Sequence, residues 1–80
     1  MKITIKLFSI LRRYLPPNAV DSSFEIEIAS GSKVIDILVK TNIPLDLPRI
    51  ILINGKRAFS LEEPVKDNDT ISFFPPMAGG

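Results

Sequence analysis

Thr70-Ile71-Ser72-Phe73-Phe74-Pro75-Pro76-Met77-Ala78-Gly79-Gly80 are the last residues of the sequence, and their reading decides the rest. Ile71 and Phe73 alternate with Ser72 and Phe74, the period-2 pattern of a strand, and Pro75-Pro76 ends any sheet pairing. A diproline is stiff and extended, so it is expected to project residues 77–80 away from the sheet, with a reach of about 13 Å. Gly79 and Gly80 add backbone without side chains, which suits a terminus that threads a narrow channel and delivers a bare carboxylate to another protein's active site. The plain alternative is that glycine-rich chain ends are commonly unstructured and carry nothing. Against it, the sequence has only four glycines, and two of them stand directly after a strand and a diproline. The reactive group is therefore expected at Gly80, with Met77, Ala78 and Gly79 as its tether.

Working back from the tail, residues 67–69 (Asp-Asn-Asp) read as a turn, and Asn54-Gly55 reads as a tight hairpin turn. The apolar run Ile50-Ile51-Leu52-Ile53 before it suggests a strand covered on both faces, with residues 56–58 pairing briefly behind. Residues 43–48 carry two prolines and form a connection. Before that, Ser32 is a candidate N-cap for a helix ending near Asn42, with Val34, Ile35, Leu38 and Val39 as its apolar stripe. Phe24, Ile26 and Ile28 alternate with Glu25 and Glu27 in a second strand. At the N-terminus, Ile3, Ile5 and Leu7 alternate with Lys2, Thr4 and Lys6, and Phe8 falls on the polar side of that strand. Residues 9–15 follow as a short helical turn, with Ile10, Leu11, Tyr14 and Leu15 inward and Arg12 and Arg13 outward, stopped by Pro16-Pro17. The order strand, strand, helix, strand, short strand, strand predicts an α+β fold: a mixed sheet with one main helix packed across it. Residues 1–76 are expected to form this domain and residues 77–80 a flexible tail.

Eighty residues suffice for one compact domain. Ten Lys+Arg against nine Asp+Glu leave a formal charge of +1, which gives no reason to expect nucleic acid or an anionic membrane as partner. No window is apolar enough to span a membrane and no signal-peptide pattern opens the chain, so a cytoplasmic location is the default. Cysteine and histidine are both absent, which removes the thiol nucleophile, the commonest metal ligands and the commonest general base. No metal site is expected, and self-contained catalysis is disfavoured. A C-terminal carboxylate has a pKa near 3.5 and is inert as an anion, so it must be activated from outside, and the chain has no glycine-rich phosphate loop with which to do so.

The ending Phe73-Phe74-Pro75-Pro76-Met77-Ala78-Gly79-Gly80 resembles the C-terminus of the MoaD/ThiS sulfur carriers of the ubiquitin-like β-grasp superfamily. The opening strand, the Ser32 helix, the strand and turn from Ile50 to Gly55, and Pro64-Val65 before the last hairpin stand in the order this family shows. Asn68 departs from it, since many relatives carry glycine between the two acidic residues; asparagine tolerates the left-handed conformation, so the turn is expected to survive. The resemblance implies that an E1-like adenylating enzyme of the MoeB/ThiF type activates Gly80 with ATP and that a sulfur donor protein supplies a thiocarboxylate, with no cofactor held permanently. It implies a MoaE-type molybdopterin synthase large subunit, or thiazole synthase, as the recipient, and the chain length, the helical segment after strand one and Phe74-Pro75-Pro76 lean toward the molybdopterin type. Under this fold the first and last strands are neighbours, so Phe8 and Phe74 are expected to meet in a partner-binding patch with Pro75 and Pro76, unless residues 59–63 cover the rings. A ubiquitin-like protein modifier using the same tail, and a binding module with an idle tail, are the other readings.

Overall fold

The computed structural model of the protein describes residues 1–76; the tail expected over Met77, Ala78, Gly79 and Gly80 lies outside the described residues. Five strands and one helix follow in the order β1 (Lys2–Leu7), β2 (Ser23–Glu27), α1 (Val34–Lys40), β3 (Ile50–Ile53), β4 (Lys56–Ala58) and β5 (Thr70–Phe74), with a 3-10 segment at Ser9–Tyr14. The strands form one sheet in the order β2-β1-β5-β3-β4. Only the central β1–β5 pair is parallel, and β1–β2, β3–β4 and β3–β5 are antiparallel. This is the mixed sheet with a helix across it that the alternation predicted, and it has β-grasp architecture.

The inward residues of the strands make the core. Ile3, Ile5, Leu7, Ile71 and Phe73 are wholly buried, and Phe24, Ile51 and Ala58 close the flanks. Helix α1 lies over them with Val34, Ile37 and Leu38, each without exposed surface. The expected stripe is thus corrected: Val39 is 63% exposed, Ile35 is half-buried, and Ile37 takes the inward place. Spacings of i, i+3 and i+4 put Val34, Ile37 and Leu38 on one face, whereas Ile35 and Val39 run along its flank.

The helix start is also corrected. Lys33, not Ser32, is the N-cap, and the Ser32 hydroxyl donates instead to the Ala29 carbonyl at 2.6 Å. A lysine has no acceptor to offer the first turn. Two of the free N–H groups there are satisfied by tertiary contact, Val34 donating to the Glu63 carbonyl at 3.0 Å and Ile35 to that of Leu61 at 2.9 Å. The Asp36 carboxylate accepts from the Lys33 N–H at 2.8 Å. At the other end Asn42 adopts φ 62°, and the Ile43 and Asn42 N–H groups reach back to the carbonyls of Leu38 and Val39 in a Schellman motif.

The run Ile50–Ile53 is not covered on both faces as its composition suggested. Ile51 is buried in the core, while Ile50 and Leu52 lie half-buried on the opposite, open face, where no second layer packs among the described residues. The residues after β1 form a 3-10 segment in which Leu11 alone is fully buried and Ile10 is 57% exposed.

Candidate functional site

The candidate site is the end of β5, beside β1, where residues 77–80 follow. Two turns at the far end of the sheet hold the strands that meet there. The Asp67 carboxylate accepts from the Lys2 N–H and the Asn68 N–H donates to the Lys2 carbonyl, at 2.8 and 2.7 Å, so the turn after Lys66 grips the start of β1. The Asp69 carboxylate accepts from the Lys66 N–H and from the Asn54 amide, each at 2.8 Å, and the Asn54 side-chain oxygen accepts from the Thr70 N–H at 2.9 Å. The hairpin between β3 and β4 is thereby tied to the start of β5. Asn54, Gly55 and Asn68 all have positive φ, as the turn residues led one to expect, and Asn68 at 70° keeps the turn without glycine.

With the register locked at that end, Leu7 stands opposite Phe73 at the other. Phe8 and Phe74 then fall side by side on the open face, their rings stacked with centroids 4.3 Å apart and planes 9° from parallel. Each is half-buried. Phe74 pairs in turn with Ile50. Ile51 opposes Ala58, so Phe59, one step beyond, continues the line past Ile50. An apolar row thus crosses the sheet from Phe8 through Phe74 and Ile50 to Phe59, with Leu52 behind it.

Phe59 does not cover the stacked rings; it is 84% exposed, with the Arg57 guanidinium 4.9 Å from its ring centroid. Lys6 and Arg57 are the charged residues that share the face nearest this row, and Arg12, Arg13 and Arg49 are exposed at the same end of the sheet. The Arg49 N–H donates to the Phe74 carbonyl at 2.7 Å and closes the ladder, Pro75 is buried against the sheet end, and Pro76 is exposed. The structure therefore brings Phe8 and Phe74 together, whereas Pro75, expected beside them in the patch, is buried, and Pro76 is exposed beyond them. Gly80, Gly79, Ala78 and Met77 lie outside the described residues.

The sequence reading missed Ile50, Leu52, Arg57 and Phe59. Their signal was present: in a four-residue apolar strand one half must face away from the core, and only a second layer would hide it.

Residues 5–80 match the ThiS family. The chain belongs to that family. ThiS-family membership accords with the MoaD/ThiS resemblance of the tail and with the ubiquitin-like fold of the solved structures that this chain resembles. The small archaeal modifier protein 1 of Methanosarcina acetivorans is 28% identical, with a TM-score of 0.69 over 99% of this chain and 96% of that one. Subunit 1 in the complex of subunits 1 and 2 of the molybdopterin-converting factor from Helicobacter pylori is 25% identical, with a TM-score of 0.61 over the whole of both chains. SAMP1 of Haloferax volcanii is 22% identical, with a TM-score of 0.70 over the whole of both, a likeness of fold. No curated protein sequence matches the chain. A ThiS-type chain of this kind is a sulfur carrier or a small ubiquitin-like modifier.

Proposed function

We propose that this ThiS-family protein is a sulfur carrier for molybdopterin biosynthesis, acting as the small subunit of molybdopterin synthase through a thiocarboxylate at Gly80. The observation that carries the reading is the stacked Phe8–Phe74 pair at the root of the tail, an apolar surface continuous with the strand from which the reactive end departs. An E1-like enzyme of the MoeB/ThiF type, engaged there, receives the Gly80 carboxylate, whose oxygen attacks the α-phosphorus of ATP and expels pyrophosphate. A sulfide sulfur then displaces AMP from the acyl-adenylate; a persulfide from the donor protein does the same, and a second thiol then attacks the donor's sulfur in the acyl disulfide, releasing the thiocarboxylate and leaving a disulfide on the donor. The chain contributes the acyl group and the partner contributes the nucleotide site. Discharge follows when the same surface docks on a MoaE-type large subunit and Met77, Ala78 and Gly79 span its channel. The Helicobacter pylori complex of subunits 1 and 2 supports this branch, since there a similar chain is in complex with subunit 2 of the molybdopterin-converting factor.

The second reading is a protein modifier, favoured by the 28% identity to the Methanosarcina acetivorans modifier over nearly the full length of both chains. Lysine amines rather than sulfur would then displace AMP. The family name keeps a thiamin-type recipient, thiazole synthase, beside these.

The absence of cysteine makes a direct test available. The protein is incubated with an E1-like enzyme, ATP and sulfide, treated with a thiol-alkylating reagent, and weighed intact. An alkyl adduct that requires ATP and vanishes when Gly79 and Gly80 are deleted is the expected result. Mass gain without alkylation does not count, because oxidation of Met1 or Met77 nearly matches an oxygen-to-sulfur exchange. No adduct, with an enzyme active on another carrier, rejects the carrier reading, and lysine conjugates in its place establish the modifier.

A further inference from the structure

The outer edge of β2 is the second surface of this molecule equipped to hold a protein segment, and it lies on the other side of the sheet from β4 and Phe59. Its hydrogen-bonding parity follows from the ends of the β1–β2 ladder. The Ile28 N–H donates to the Met1 carbonyl and the Leu7 N–H to that of Ser22, so Ile26 and Phe24 face β1 with their backbone groups. The N–H and C=O groups of Glu25 and Glu27 therefore point outward, and no described residue bonds to them. Ser23 is already taken, since it exchanges both of its outward bonds with Val20 across a tight turn in which Asp21 and Ser22 have φ 52° and 65°. The open edge begins where that turn leaves off.

Beneath this edge runs a groove of about 280 Å³, bounded by Phe24 and Ile26 on the sheet, Tyr14 at the end of the 3-10 segment, and Lys40 and Thr41 at the end of α1. Its walls are mostly hydrocarbon. Above the edge, on the open face, stand the exposed carboxylates of Glu25 and Glu27; Lys2 lies 3.8 Å from Glu25, and no salt bridge reaches Glu27 among the described residues.

We infer that this edge binds an extended segment of another protein in which apolar residues alternate with lysine or arginine. An added strand would place every second side chain in the groove and the others beside Glu25 and Glu27, as the pleat requires. A second copy of this chain is the wrong occupant: β2 paired with β2 sets glutamate against glutamate along one face. The same carboxylates that keep the edge from pairing with itself select a basic strand. The binding is independent of the tail and of the Phe8–Phe74 surface, and so leaves the carrier role unobstructed.

The test is titration of the nitrogen-15-labelled full chain with a capped seven-residue peptide of alternating lysine and isoleucine. Saturable amide shifts are expected at Glu25, Ile26, Glu27, Tyr14, Lys40 and Thr41, with slowed hydrogen exchange at the Glu25 and Glu27 N–H groups. The Glu25→Gln/Glu27→Gln double variant, altered only at exposed positions, is expected to bind about fivefold more weakly. A peptide N-methylated along its pairing edge is expected not to bind. Equal binding of a glutamate–isoleucine peptide, shifts centred on Phe8 and Ile50, no saturable shift, or edge signals that depend on protein concentration without peptide would each overturn the inference.

Discussion

Asn68 carries more of this fold than its exposure suggests. It sits at φ 70° in the turn whose neighbours Asp67 and Asp69 hold the starts of β1 and β5, and its own N–H donates to Lys2. A Cβ-bearing residue without asparagine's local hydrogen bonding costs about 1 kcal/mol there, so Asn68→Ala is expected to lower unfolding stability by that amount in urea titrations while Asn68→Gly does not. Lys33 offers a second test. Its ammonium donates to Glu62 at 2.9 Å, and this hydrogen bond, with the attraction of the same carboxylate, raises its pKa above the ordinary 10.5. A lysine raised on folding stabilises fully below its unfolded pKa and loses that stabilisation as pH climbs through the folded one. The gap in urea midpoint between wild type and Glu62→Gln is therefore expected to stay constant from neutral pH to 10.5 and to close only above it. Because both partners are exposed, the gap itself is small.

At the scale of elements, α1 shows what periodicity does and does not say. Val34, Ile35, Leu38 and Val39 are all apolar and helically spaced, and so is Ile37, which leaves more than one stripe compatible with the sequence. The choice falls to the sheet beneath and to the segment after Ser60, whose carbonyls catch the first-turn N–H groups and fix the rotation of the helix. Ile37→Ala is expected to cost about 2–5 kcal/mol, and Val39→Ala within about 0.5 kcal/mol of nothing, by chemical denaturation. The opposite order would restore the flank stripe. Strand β3 teaches the same lesson on a sheet: four apolar residues announce a strand but not how many layers cover it. Its turn at Asn54-Gly55 was legible because two successive positive φ angles demand those residue types.

At the scale of the molecule, the parallel β1–β5 pair joins one end of the chain to the other and brings two phenylalanines 66 positions apart into contact. Replacing both with alanine removes the stacking, worth about 0.5–1.5 kcal/mol beyond area burial, and is expected to weaken docking of an activating enzyme or large subunit at least tenfold while the core, built on the other face, still unfolds cooperatively. Unchanged affinity, measured by calorimetry, would move the partner surface elsewhere. The sequence by itself determined the succession of strands and helix along the chain, the turns at Asn54-Gly55 and Asn68, the α+β class and the family resemblance, because alternation, positive-φ residues and a diproline before Gly79-Gly80 are local signals. The meeting of Phe8 and Phe74 was an expectation of the resemblance, but their parallel stacking, the apolar row through Ile50 to Phe59, the inward face of α1 and the open edge at Glu25 and Glu27 were decided only by tertiary structure. Each depends on which strands become neighbours and in which register, and that is settled by contacts between residues far apart in sequence, through the joint burial of side chains whose local patterns permit more than one arrangement.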